Sequence, residues 1–96
     1  MYKHIVMWKV KEGEDLNEVV ATFKQGMKEV AELCPVARDY RIGVNIKTTQ
    51  DYDFCIDSVF TDADAFNEYF FHPRHQELKD YLTGISCLKT VFDYEF

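Results

Sequence analysis

The chain has 96 residues, about the size of one domain and too few to bury two independent cores, and its 47% hydrophobic and 29% charged residues exclude a disordered polymer. A net charge of −6, with eleven Lys and Arg scattered along the chain, argues against a nucleic-acid partner. No apolar run approaches the ~20 residues of a membrane span, and no basic-then-apolar leader opens the chain, so neither a membrane nor export is expected.

Residues 2–10 alternate, which predicts a strand with Tyr2, His4, Val6, Trp8 and Val10 on one face and Lys3, Ile5, Met7 and Lys9 on the other. Gly13, Glu14 and Asp15 break that pattern and open a helix, in which Leu16, Val19, Val20, Phe23, Met27, Val30 and Cys34 keep helical spacing. Pro35 stops it. Tyr40, Ile42, Val44 and Ile46 then alternate with polar residues as a second strand, and Lys47 to Asp51 reads as a polar turn.

A third strand is expected through Tyr52, Phe54, Ile56, Ser58 and Phe60. Thr61 and Asp64 have capping-box spacing for a short helix through Phe66, Tyr69 and Phe70. Pro73 biases His72 away from the helical region, so the helix should break there and restart at the proline, with Gly84 as its stop. Cys87 to Phe96 alternates again, grouping Leu88, Thr90, Phe92, Tyr94 and Phe96.

The order βαββαβ predicts an α+β, ferredoxin-like protomer over residues 1–96, one four-stranded antiparallel sheet with helices on a single face. The uncovered face would present Ile5, Met7, Cys55, Val59 and Val91, more apolar surface than water tolerates, and a second copy is its natural cover. A homodimer is therefore expected. Cys34, Cys55 and Cys87 are odd in number and widely spaced, which fits neither a disulfide framework nor a paired metal site and points to a reducing cytoplasm.

Three segments together carry a family likeness. The opening Lys3-His4-Ile5-Val6-Met7-Trp8-Lys9, the run Tyr69-Phe70-Phe71-His72-Pro73-Arg74-His75 and the closing Val91-Phe92-Asp93-Tyr94 resemble the Dabb, or stress-responsive A/B barrel, family over essentially the whole chain. The His-Pro-x-His signature after an aromatic run is the most specific part. The resemblance implies a dimeric alpha-beta barrel, and a plant polyketide cyclase that needs no cofactor is among the family's members. By that resemblance His4, Tyr69 and His75 fall at catalytic positions. Phe54 stands where a further pocket histidine would be expected, and Met27 where an aromatic would guard the pocket mouth.

Chemically, a neutral imidazole at His75 can take a proton from an acidic carbon or phenol, with Tyr69 and His4 as donors to a developing oxyanion. Val6, Trp8, Phe23, Met27, Phe54, Leu78 and Leu82 are the expected lining for a small apolar or carbonyl-containing ligand. No cofactor is expected. His72 and His75 are three residues apart, but no third or fourth ligand appears at matching spacing, so no metal is expected and His72 reads as a helix cap. The competing reading is a structural stress-response dimer in which these same histidines and Tyr69 serve packing and capping.

Overall fold

The computed structural model describes residues 1–47 and 49–96; Thr48, inside the expected Lys47–Asp51 turn, lies outside the described residues. The elements are β1 (Tyr2–Val10), α1 (Leu16–Leu33), β2 (Ala37–Val44), β3 (Phe54–Phe60), α2 (Ala63–Phe70), α3 (Pro73–Ile85) and β4 (Ser86–Glu95). The strands pair antiparallel in the order β2-β3-β1-β4, the ferredoxin-like arrangement that the element order predicts.

Local chemistry sets the helix ends. Asp15 caps α1, its carboxylate accepting from Asn17 N and Glu18 N at 3.0 and 3.3 Å. At α2 the cap is Asp62 and not Thr61, because the Asp62 carboxylate reaches Ala65 N at 2.9 Å. His72 caps α3 through Nδ1, which accepts from Arg74 N at 3.1 Å, and Pro73 occupies the first helical position, where no amide hydrogen is required.

Three expectations about element limits change. Ile46 is 93% exposed and outside β2, since the hairpin closes one residue earlier, where Asn45 N donates to Asp53 O and the Asn45 side chain donates to Tyr52 O. Tyr52 leaves the alternation of β3, and its hydroxyl instead pairs with Thr90 of β4. Gly84 does not stop α3, which runs through Ile85 straight into β4, the joint being held by Lys11 N donating to Ile85 O at 2.8 Å.

The core lies between one sheet face and the helices. β1 contributes Val6 and Trp8, β3 contributes Phe54, Ile56 and Phe60, and α1 lays Phe23, Met27 and Val30 over them. A Cβ on Gly26 would meet Leu78 Cδ1 at 2.7 Å, so this glycine is what lets α1 and α3 approach.

The register of β4 corrects one face assignment. Val91 lies opposite Val6, Asp93 opposite His4 and Lys89 opposite Trp8, so these residues share the helix-covered side and Val91 is not on the open face. What joins Ile5, Met7, Cys55 and Val59 there is the set Leu88, Phe92 and Tyr94, exposed by 44%, 61% and 42%. A strand carries both alternations at once, and only pairing decides which of them faces the helices.

Candidate functional site

Between the β1–β4 side of the sheet and helices α2 and α3 lies a cavity of about 300 Å³. Its sheet floor includes His4, Val6, Trp8 and Asp93, and α3 supplies His75, Leu78, Lys79 and Leu82. Of the expected lining residues, Val6, Trp8, Phe23, Leu78 and Leu82 border this space. Met27 and Phe54 do not. Phe54 is packed under Trp8, ring centroids 5.0 Å apart and nearly parallel, and Met27 is buried beneath Tyr69.

His4 sits in the middle of β1 because the strand's alternation turns it toward the helices, where it is 5% exposed. Its Nδ1 lies 2.5 Å from Asp93 Oδ1, and Asp93 Oδ2 accepts the Tyr2 hydroxyl at 2.7 Å. A carboxylate can only accept, so in the neutral ring Nδ1 carries the hydrogen and Nε2 keeps its lone pair. Burial pushes the His4 imidazole below its ordinary value, while the bond to Asp93 opposes that shift. The Tyr2 phenol is pushed up to about 12, first by burial and then by Asp93, and stays a donor to the carboxylate.

His75 stands in the first turn of α3, placed there by the break at Pro73. Its Nδ1 is 3.0 Å from Phe70 O, the last residue of α2, and that carbonyl also accepts Gln76 Nε2 at 2.6 Å. Since a carbonyl only accepts, Nδ1 is again the protonated nitrogen. Burial, reinforced by the positive charges of Lys79 and Lys89, pushes the imidazole down to about 4 despite the favourable Phe70 carbonyl, so the ring is neutral at pH 7.

Tyr69 takes a different place from the expected one. Its ring packs on His75 with centroids 4.4 Å apart, but its hydroxyl points into the core, 3.6 Å from Met27 Sδ, and makes no hydrogen bond to the imidazole. Burial raises its pKa and keeps it protonated. The structure thus joins His4, His75 and the Tyr69 ring around one space while turning the phenol away from it.

Asp93, Lys79 and Lys89 escaped the sequence reading. Asp93 is 89 residues from His4, and in the sequence it is one more charge in an alternating strand; only the pairing of β1 with β4 sets it beside the imidazole. The antiparallel sheet order, carried one step further to its cross-strand neighbours, contained that signal.

The architecture and the hollow together define an α+β protomer of ferredoxin-like form whose sheet floor bears a carboxylate-backed imidazole. The chain belongs to the Dabb family: the model of the Stress responsive A/B Barrel Domain matches residues 2–96. Among solved structures it is similar to a dimeric protein of unknown function and ferredoxin-like fold from Bacteroides fragilis, at 26% identity over 99% of this chain and 95% of that one, with a TM-score of 0.85. It is also similar to a Dabb family protein from Mesorhizobium loti (22% identity, 99% and 95% covered, TM-score 0.77). A third neighbour is a hydroxynitrile lyase from Passiflora edulis (14% identity, 97% and 90% covered, TM-score 0.83), a likeness of fold alone. No curated protein matches the chain in sequence. Among the described residues no helix is long and apolar enough to cross a membrane.

Proposed function

We propose that the cavity binds a small, largely apolar molecule carrying a carbonyl group, and that the protein moves a proton at the carbon beside that carbonyl without a cofactor. The observation that carries this reading is the pair of neutral imidazoles bordering one cavity, one of them backed by a carboxylate. His4 Nε2 takes the proton, the carbon–hydrogen electron pair passes into the enolate, and Asp93 stabilises the imidazolium so formed. Return of the proton from His4 to carbon or oxygen completes the turnover; alternatively the enolate attacks a second carbonyl of the same guest, and the alkoxide so formed takes the proton back from the His4 imidazolium.

His75 has the second role. An imidazole held near 4 is a weak base at neutral pH, but its Nε2 is a good acceptor for a hydroxyl of the guest and orients it. Tyr69 is a positioning residue whose ring holds His75 in place. The Bacteroides fragilis neighbour is a dimeric protein, and this, with the exposed Leu88, Phe92 and Tyr94 on the open sheet face, supports a homodimer closed through that face. Three free cysteines favour a reducing, cytoplasmic setting. The competing structural reading draws on one observation, the Tyr69 hydroxyl spent on Met27.

The test is exchange of the benzylic protons of phenylacetone for deuterium in D2O, followed by proton NMR. Wild-type protein is expected to accelerate exchange, and Asp93→Asn to lower that acceleration by roughly 10²–10⁴-fold, the usual worth of an oriented acid–base group. Exchange no faster than in buffer alone overturns the reading.

A further inference from the structure

Lys79 and Lys89 stand out among the groups around the cavity. Lys79 lies one helical turn after His75 on α3, its ammonium 5.1 Å from the Phe70 ring centroid, and Lys89 lies opposite Trp8 on β4. Both border the same space. Among the described residues neither has a carboxylate within ion-pair distance, and of the chain's Lys and Arg residues these two are the ones that border the cavity. The one carboxylate that borders the cavity, Asp93, is already engaged by Tyr2 and His4. In a chain of net charge −6, two uncompensated cations therefore converge on one apolar hollow.

Ammonium groups left without a partner beside apolar walls are costly to desolvate, and the cost is recovered when an anion arrives. The Lys89 ammonium already responds to this setting, lying below its ordinary value through burial first and the neighbouring Lys79 charge second. His4 and His75 are neutral and compete for no anion.

We propose that the guest of this cavity is an amphipathic carboxylic acid, its apolar body against Trp8, Phe23 and Leu82 and its carboxylate held between Lys79 and Lys89. The proposal rests on the cavity being a ligand site, and it narrows the substrate class to acids whose reacting carbonyl lies deeper in the hollow than their charged end.

Trp8 is the only tryptophan in the chain and borders the cavity, so its fluorescence reports occupancy. The experiment titrates the intact protein with 4-phenylbutanoate and with its neutral counterpart 4-phenyl-1-butanol. The acid is expected to bind on the order of tenfold or more tightly than the alcohol, as a charge-assisted contact requires. Added NaCl should erode the difference. In K79Q/K89Q the acid's dissociation constant should rise to meet the alcohol's, while K79R/K89R, which keeps both charges, should retain the preference. Equal affinities in the wild type, or a preference that survives K79Q/K89Q, overturn the proposal and leave the cavity as a ligand site. Failure of both compounds to perturb Trp8 removes the ligand site and the proposal together.

Discussion

The two halves of the covered sheet face are built from opposite materials. On β3 the helices meet Phe54, Ile56, Ser58 and Phe60, each at most 2% exposed, and α2 packs over β2 and β3 to seal that half. On β4, an edge strand, the same side of the same sheet carries Lys89, Val91, Asp93 and Glu95, while Leu88, Phe92 and Tyr94 look the other way. Three of those four inward residues are charged and the fourth is short, so α3 closes over β4 without filling the space beneath. The hollow is thus written into the phase of one strand. Turning a strand's apolar alternation away from the helices costs core volume on one side and creates both a cavity with charged groups on its floor and an exposed apolar surface on the other side of the sheet.

The sharpest way to break this comparison is to delete volume from each half. Phe60 is fully buried, packed on Phe66 and Tyr69, and Phe60→Ala should cost about 3–5 kcal/mol in urea unfolding, against less than ~1 kcal/mol for Val91→Ala. Similar losses at the two sites would mean that both halves are equally packed. A smaller effect is expected from acid. His75 has an ordinary value of 6.5 and about 4 in the fold, so between those pH values the unfolded chain binds a proton there that the folded one lacks. Stability is therefore at its full value above pH 6.5 and falls as the pH drops toward 4, by roughly 2 kcal/mol after allowance for the ring's partial exposure. His75→Phe should flatten that part of the curve, measured as urea midpoints at pH 7 and 4.5. An unchanged slope would place His75 in water, not in the hollow half. The smallest change in stability should come from Val91→Phe, which adds a ring where there is room; within ~1 kcal/mol is expected, with loss of the Trp8 response to 4-phenylbutanoate. A penalty like that of overpacking a solid core would contradict the empty volume.

Much of this was legible in the residues. The alternation from Tyr2 to Val10 grouped His4, Val6 and Trp8 on one face, and Pro73 located the break that puts His75 at the start of a helix. Periodicity fixes which residues share a side, but says nothing of which side is covered, and Val91 was misassigned for that reason. The Asp93–His4 contact depends on strand register across nearly the whole chain. The direction of the Tyr69 hydroxyl depends on the rotation of α2 against α1, where a methionine sulfur receives it, and no local spacing encodes such a rotation. Met27 and Phe54 were recognisable as buried, yet burial alone does not separate a residue that faces a void from one packed behind it.

The seamless passage from α3 into β4 has a mechanical corollary. Helix wall and strand floor of the hollow belong to one uninterrupted stretch of backbone, clamped at its bend by Lys11, whose amide holds Ile85 O and whose ammonium holds Gly84 O at 2.9 Å. No slack segment separates them to swing aside as a flap. Any opening along this wall must therefore come from rotation of side chains that border it, such as Lys79 and Lys89, and not from motion of a loop between helix and strand.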